Sequence, residues 1–265
     1  MELTRVRYEV EHHVAYITLN NPDYMNVFDE PTDKELMQCF AACEFDPEVH
    51  VVVFQAEGRA FSGGGDINSM IGELQKPAGE SVLLEESFSW PAQIARQIRA
   101  IRKPVIAALQ GAVAGVAANL ALMCDFRIAA ENMKLVEAFV GIGLVTDGCG
   151  VYILNKMLGP ARTAELVFTG RPVKAEEALR LGLVTEVVQP EELRARTKAF
   201  AEKLAAGPSK AQKYLKCLIN QAAFQDMLGY SEVEIEYQRV CGASQDFREG
   251  VNAFLEKRKP VWTGK

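Results

Sequence analysis

The sequence predicts an α/β fold in its first two thirds and a helical C-terminal part. Residues 49–58 and 103–111 are continuous apolar runs, which are typical of strands buried on both faces of a parallel sheet. Strands alternate with helix-like stretches, which indicates right-handed βαβ units. Residues 196–265 carry no strand pattern, so they must pack on the body of residues 1–195 or on another subunit.

The elements follow in order as short segments separated by Asn, Asp, Gly and Pro. Predicted strands cover residues 8–10, 14–19, 49–58, 103–111, 125–130 and 133–139. Predicted helices cover residues 32–45, 80–101 and 112–124. From Lys156 onward helices dominate, with a loop, helix, turn and strand at residues 170–188. A helical tail is predicted from Pro208 to about Arg258.

Composition and charge exclude several classes of function. Hydrophobic residues make up 49% of the 265 and charged residues 24%, as in proteins that bury a large core. The net charge of −6 argues against a nucleic-acid groove, and no basic run suits a membrane surface. No apolar run reaches the roughly 18 residues that span a bilayer, and the N-terminal stretch lacks the apolar segment of a signal peptide. We therefore expect a cytoplasmic protein.

Cysteine and histidine usage does not suggest a metal site. The six cysteines form no C-x-x-C pair, and the chain has three histidines. Cys39 and Cys43 lie one helical turn apart, a spacing typical of packing.

Two glycine-containing turns follow two of the predicted buried strands. The first glycine turn is AFSGGGDI, residues 60–67, and the second is QGAVAGVAANL, residues 110–120. Small residues let a ligand approach backbone amides, and the second turn leads into a helix whose first amides lack partners. Two such amides at one point would form an oxyanion hole, although a plain tight turn is the simpler interpretation. Neither turn has the spacing of a dinucleotide fingerprint or a P-loop.

One acid stands among glycines and apolar residues in GLVTDGCGVY, residues 143–152. Asp147 is either a surface turn residue or a proton carrier in an apolar pocket. Both interpretations stay open on the residues alone.

Six segments resemble the crotonase family, also called the enoyl-CoA hydratase/isomerase family, in order and over nearly the whole chain. They are ITLNNPDYMNVF, GRAFSGGGDI, RKPVIAALQGAVAGVAANLALMCDFRIAA, GIGLVTDGCGVY, TGRPVKAEEALRLGLVTEVV and DFREGVNAFLEKRKPVW. The resemblance implies stacked ββα units followed by a helical trimerisation region, assembled as a homotrimer or a dimer of trimers. It also implies an acyl-CoA thioester ligand, with no cofactor beyond the coenzyme A of that substrate.

The resemblance assigns roles to residues of both turns and of the C-terminal helix. The oxyanion donors would be the backbone N–H groups of Gly65 and Val116, where valine replaces the usual glycine and narrows the mouth of the hole. Residues that match the ligand path are Ala60, Gly64, Asp66, Ile67 and Gly115. Phe254 and Lys257 match positions that help hold the CoA nucleotide, often from a neighbouring subunit. Otherwise the basic cluster at residues 257–259 is a solvated helix end.

Hydratases of the family use two glutamates around a water molecule, and this chain lacks both. Asn119 stands at the first place, and an amide cannot accept a proton at neutral pH, although it can orient a substrate or a water. Phe139 stands at the second place. Glu137 would share its face in an extended segment and restore one glutamate; otherwise it is a solvated or paired carboxylate.

Asp147 matches the single acid of several enoyl-CoA isomerases of the family, in stretches that resemble GLVPDAGG or SPEGCSSY. Thr146 replaces their usual proline, which we expect to loosen the turn. Leu144, Val145 and Phe139 would form an apolar wall that raises the pKa of the acid. The favoured hypothesis is an isomerase that moves a double bond from the 3,4 to the 2,3 position. A hydratase, dehydratase or decarboxylase of an unusual acyl thioester, and a non-catalytic acyl-CoA-binding homologue, stay open.

Overall fold

A computed structural model of the chain describes residues 2–74 and 89–265. The strands are β1 Val6–Glu11, β2 Val14–Leu19, β3 Val51–Ala56, β4 Val105–Leu109, β5 Ala112–Ala114, β6 Phe126–Ala130, β7 Lys134–Val136, β8 Val173–Lys174 and β9 Glu186–Val188. The helices are α1 Glu30–Phe45, α2 Ile67–Leu74, α3 Ser89–Ala100, α4 Val116–Met123, α5 Gly150–Thr169, α6 Ala175–Arg180, α7 Leu193–Ala205, α8 Ser209–Ala223, α9 Met227–Gly242 and α10 Gln245–Leu255, with 3-10 turns at Pro22–Tyr24, Ala138–Ile142 and Pro190–Glu192.

Two sheets form the body of the molecule. The larger sheet has the order β1-β2-β3-β4-β6-β9, in which β1 and β2 are antiparallel and the other pairs are parallel. The smaller sheet has the order β5-β7-β8. Every residue of β3 and β4 is buried, which explains why their sequences are continuous apolar runs. Helices α1, α3 and α4 pack on one face of the large sheet and α7 on the other.

Three element predictions need correction or lie partly outside the described residues. Residues 112–124 are not one helix, because Gly115 has a φ of +54° and separates β5 from α4. The strand predicted at 133–139 is limited to β7 and then turns into the 3-10 segment. The helix predicted at 80–101 corresponds to α3, and its first predicted residues, 80–88, lie outside the described residues.

The C-terminal helices α8, α9 and α10 each contact the body, and in α8 the buried Lys216 reaches into the core. Its Nζ lies 2.8 Å from an oxygen of Asp125, and Arg99 Nη1 lies 2.9 Å from the other oxygen. The opposite surfaces of these helices are apolar and exposed, at Tyr214, Leu215, Leu218, Ile219, Leu228, Val233, Tyr237 and Val240. Across residues 2–74 and 89–265, no helix combines the length and apolarity needed to cross a membrane.

Candidate active site

The two glycine turns lie side by side. The Ser62 amide donates to the carbonyl of Ala112 at 3.0 Å, and the Ala114 amide donates to the carbonyl of Ser62 at 3.2 Å. Gly64 has a φ of +95°, and a Cβ placed on it would lie 3.0 Å from the carbonyl oxygen of Ala114. A larger residue would therefore push the turns apart, so glycine is required where the two backbones meet.

The predicted oxyanion donors, Gly65 and Val116, each follow one of the two glycines that meet here, because a Cβ on Gly64 would lie 3.8 Å from Cα of Gly115. The amides on either side of Gly65 are occupied: that of Gly64 donates to Ser62 Oγ at 3.0 Å, and that of Asp66 donates to the carbonyl of Phe28 at 3.0 Å. These two acceptors are therefore used by the amides of Gly64 and Asp66 and not by that of Gly65. Val116 is the first residue of α4, where an amide has no acceptor within the helix and the helix dipole is positive.

Asn119 holds the segment we call the Asp147 loop, residues 143–149. Its Nδ2 donates to the main-chain carbonyl of Asp147 at 2.8 Å, and the amide of Gly150 donates to the same oxygen at 3.0 Å. A Cβ on Gly150 would lie 2.4 Å from Nδ2 of Asn119, so glycine makes room for the amide. Asn119 is fully buried. It was predicted to orient a substrate or a water, whereas here it binds the backbone of the loop.

The carboxyl group of Asp147 is only partly exposed, and its Oδ1 is buried with no hydrogen-bond partner in the described part of the chain. Burial raises the pKa of Asp147 well above its usual range, and the negative charges of Glu234, then Asp33, then Glu137, add to this effect. A surface turn residue would have both oxygens in water. The environment of Asp147 instead favours the protonated form of its carboxyl group.

Glu137 is 2% exposed, and neither carboxyl oxygen has a partner within the described residues. The interpretation of Glu137 as a solvated or paired carboxylate is therefore wrong. Burial raises the pKa of Glu137 to about 8, the charge of Glu234 raises it further, and the Asn119 amide opposes the shift. The site thus contains a second carboxyl near Asp147.

An apolar wall stands beside the second glycine turn. Phe139 is buried, and a Cβ on Gly115 would lie 3.6 Å from its ring. It forms one cluster with Leu144 of the Asp147 loop and with Phe247 of α10. Ile67, predicted on the ligand path, packs partly buried against this cluster. Helix α10 therefore supports the site from within the same chain.

The other predicted ligand-path residues fall into two groups. Ala60 is buried beside the first glycine turn, and Asp66 accepts from the amide of Asn68 at 3.0 Å at the start of α2. Phe254 is 61% exposed, and Lys257 is exposed in the turn after α10. Both lie on the outside of their own chain, and their contact with a nucleotide stays a prediction.

Two residues of α9 that the sequence did not single out hold the Asp147 loop. Glu234 is buried and accepts from the Thr146 hydroxyl at 2.9 Å and from the Cys149 amide at 2.6 Å. Gln238 donates to the carbonyl of Val145 at 2.5 Å. The expectation that Thr146 loosens the turn is therefore wrong, because its hydroxyl anchors the turn. Glu234 is one of several acids in its stretch, and no sequence signal distinguishes it.

Cys149 has a φ of +63°, a conformation that costs a non-glycine residue on the order of 1 kcal/mol. The charged bond from its amide to Glu234 offsets that strain. Burial raises the pKa of Glu234 to about 7, and its bonds to Cys149 and Thr146 oppose the shift.

Asp33, in the first turns of α1, was also missed. It is buried, and its charge contributes to the raised pKa of Asp147. A signal was present, since this acid stands on an otherwise apolar helical stripe.

Comparisons with known proteins agree with this geometry. The family model described as enoyl-CoA hydratase/isomerase matches residues 9–265. The chain belongs to the enoyl-CoA hydratase/isomerase family. A structure of an enoyl-CoA hydratase from Mycobacterium avium subsp. paratuberculosis is similar at a TM-score of 0.90 and 30% identity, over 99% of this chain and 100% of that one. The predicted crotonase family and fold are thereby confirmed.

Relatives within the family carry different activities in their names. The chain is 34% identical over 265 residues to trans-2-decenoyl-[acyl-carrier-protein] isomerase of Streptococcus mutans, over 100% of both chains. It is 36% identical over 256 residues to 1,2-epoxyphenylacetyl-CoA isomerase of Escherichia coli, over 97% of each chain. It is also 34% identical over 258 residues to crotonyl-CoA hydratase of Syntrophomonas wolfei, over 97% of each chain. Identity alone therefore does not separate isomerases from hydratases.

Proposed function

We propose that this member of the enoyl-CoA hydratase/isomerase family moves the double bond of an enoyl thioester from the 3,4 to the 2,3 position. Asp147 carries the proton, and the amides of Gly65 and Val116 hold the thioester oxygen. The observation that supports this most directly is the Asp147 carboxyl, which has a buried oxygen without a partner in the described chain and a loop held in place by Asn119.

The chemistry proceeds in two proton transfers. Asp147 takes a proton from C2, and the electrons of that C–H bond move onto the thioester, whose oxygen becomes an enolate. The amides of Gly65 and Val116 donate to this oxygen. One such donor lowers the activation free energy by on the order of 3 kcal/mol. Asp147 then returns the proton at C4. The π electrons of the 3,4 bond form the new C4–H bond, the electrons of the enolate C1–C2 double bond form the 2,3 double bond, and the electrons on oxygen re-form the thioester carbonyl.

The raised pKa of Asp147 suits both transfers. A carboxylate with an ordinary pKa would be too weak a base to take a proton from carbon. Burial raises the pKa of Asp147 from its usual value towards the working pH, which strengthens the base. The wall of Phe139 and Leu144 keeps the surroundings apolar. Asn119 cannot activate a water as a glutamate would, which favours isomerisation over hydration.

The proposed substrate is an acyl-CoA thioester, and the reaction needs no further cofactor. Phe254 and Lys257 would contact the CoA nucleotide, in an assembled protein from a neighbouring copy. One relative is named for an acyl-carrier-protein thioester and another for a CoA thioester. Because both carriers present the acyl group on a phosphopantetheine arm, both belong in the assay.

The test is Asp147→Asn, which keeps the size of the side chain and removes its basicity. We expect turnover of a 3-enoyl-CoA to be abolished while an acyl-CoA ligand still binds. Asp23→Asn, at an exposed position, is the matched control and should retain full turnover. Unchanged turnover in Asp147→Asn would contradict the proposal, and tight binding with no turnover in the unmodified protein would favour a non-catalytic role.

A hydratase is the second candidate, and buried Glu137 is the observation that favours it. A second carboxyl near Asp147 could activate a water molecule. Rapid water addition to a 2-enoyl-CoA that is lost in Glu137→Gln would establish this candidate in place of the isomerase.

A further inference from the structure

We propose that Asp33 forms a polar subsite in the acyl pocket that hydrogen-bonds a hydroxyl group on the acyl chain. The substrate class would then be hydroxylated enoyl thioesters, with the hydroxyl beyond the carbons that Asp147 serves. This inference rests on the proposed function, which supplies the thioester substrate. It adds that the acyl chain of that substrate carries a hydroxyl group.

Asp33 stands at the N-terminal end of an apolar stripe of α1. Leu36, Phe40 and Cys43 follow it at spacings of three, four and three residues, and all three are fully buried. These spacings place the four residues on one face of the helix. Asp33 is 6% exposed, so the carboxyl group occupies a position where packing alone would select an apolar residue.

The start of α1 is joined to the first glycine turn. The amide of Phe28 donates to the carbonyl of Gly64 at 2.8 Å, and the amide of Asp66 donates back to the carbonyl of Phe28 at 3.0 Å. Asp29 caps α1 by accepting from the Thr32 amide at 2.9 Å. These bonds fix the first turn of α1 beside the turn that carries Gly65.

The same end of α1 also meets the Asp147 loop by way of α3. Lys34 places its Nζ 5.3 Å from the centre of the Trp90 ring, at the start of α3. The next residue, Pro91, contacts the Asp147 loop. A Cβ added to Gly148 of that loop would lie 3.8 Å from the Cβ of Pro91. Asp33 therefore lies where α1, α3 and the loop converge, close enough for its charge to raise the pKa of Asp147.

No described protein group satisfies the buried Oδ1 of Asp33. The neighbouring acid Asp29, by contrast, is paired with Arg5 at 2.9 Å. Burial, reinforced by the charge of Asp29, raises the pKa of Asp33 well above its usual range, which favours the protonated form of the acid. An unsatisfied buried polar group costs about 1–3 kcal/mol, a cost that a ligand partner would remove.

A hydroxyl group matches this acid better than a hydrocarbon chain does. A carboxylic acid offers one O–H donor and a carbonyl acceptor, and a hydroxyl offers the complementary pair. A pocket built to bind a hydroxyl discriminates against the analogue that lacks it, because its own polar group then stays unpaired.

The test measures binding in an Asp147→Asn background, so its result does not depend on turnover. The probes are hexanoyl-CoA, 5-hydroxyhexanoyl-CoA and 6-hydroxyhexanoyl-CoA, measured by calorimetry. We expect one hydroxylated probe to bind at least about tenfold more tightly than hexanoyl-CoA, the effect of about one hydrogen bond. Asp33→Leu should abolish or reverse that ratio, and Asp33→Asn, which keeps a donor and an acceptor, should retain it.

Two results would overturn the inference: equal binding of all three probes, or a preference for the hydroxylated probe that Asp33→Leu leaves unchanged. Asp23→Leu, at an exposed position, controls for the loss of an acid. If the unmodified protein fails to isomerise any 3-enoyl-CoA while the binding ratio depends on Asp33, the proposed reaction fails and the subsite stands.

Discussion

Asp147, Glu137 and Asp33 each have a buried carboxyl oxygen that no described protein group satisfies. Burial raises the pKa of all three, and the charges of Glu137 and Asp33 both raise that of Asp147. Each negative charge therefore makes a further ionisation in the site less favourable. The site therefore favours bound protons at a higher pH than ordinary carboxyl groups do, which suits the proposed proton transfer on carbon.

Glu137 makes stability depend on pH in a predictable direction. Its pKa is about 8 in the folded protein and roughly 4.3 in an unfolded chain, so between these values the folded state binds the extra proton. The free energy of unfolding must therefore fall as the pH rises through this window. Glu137→Gln, which never ionises, should show a smaller fall, measured by urea unfolding at about pH 5.5 and pH 8.

The control for this prediction is Glu176→Gln, at an exposed position of α6. This variant should keep the pH dependence of the unmodified protein. An identical loss of stability in Glu137→Gln and the unmodified protein would show that Glu137 carries no proton in the folded state.

At the scale of elements, α9 determines where Asp147 stands. Glu234 and Gln238 lie one turn apart on the helix and bind the Asp147 loop on both sides of the aspartate. The outer surface of the same helix exposes Val233 and Tyr237. The helix therefore connects the loop of the site to the molecular surface.

Glu234→Gln should change both the rate and the pH profile of turnover. The variant removes a negative charge that raises the pKa of Asp147, so the base ionises at lower pH and the rising limb of the profile shifts to lower pH. Weaker bonds to Thr146 and Cys149 should also lower kcat by on the order of tenfold to a hundredfold.

Glu236→Gln is the matched control, because this residue lies on the same helix with an exposed side chain and should leave the profile unchanged. A purely structural role for Glu234 would lower stability without moving the pH profile. An unmoved profile would therefore contradict the electrostatic coupling.

The elements and site residues that could be predicted from the sequence are those whose local pattern is compatible with only one local structure. The buried strands β3 and β4 and the two glycine turns could be identified because β-branched runs and glycines report local geometry. The region 112–124 was misassigned, since small apolar residues suit a strand and a helix equally. Glu234 could not be found, because it binds Thr146 from 88 residues away and only tertiary packing brings them together.

For the whole molecule, we propose that residues 196–265 form an assembly region that joins copies of the chain into a trimer or a dimer of trimers. The support is the set of exposed apolar side chains on α8 and α9, which a monomer in water would leave unfavourably hydrated. Assembly would also bring Phe254 and Lys257 of one copy within reach of another.

Leu218→Asp tests this assembly, because Leu218 is 65% exposed on α8. We expect the variant to shift towards monomers in sedimentation velocity, since a subunit interface would have to bury the new charge. Lys210→Asp introduces the same charge at an exposed polar position of α8 and should sediment like the unmodified protein. A monomeric unmodified protein, or identical sedimentation of all three, would contradict the assembly.

The central claim is that Asp147 moves a proton through a thioester enolate, and deuterium exchange tests it most directly. The protein and Asp147→Asn are each incubated with a 3-enoyl-CoA in D2O, and the 2-enoyl product and the label at C2 and C4 are followed. We predict conjugated product and label with the unmodified protein and neither with the variant. Product formed by Asp147→Asn at the unmodified rate would contradict the account.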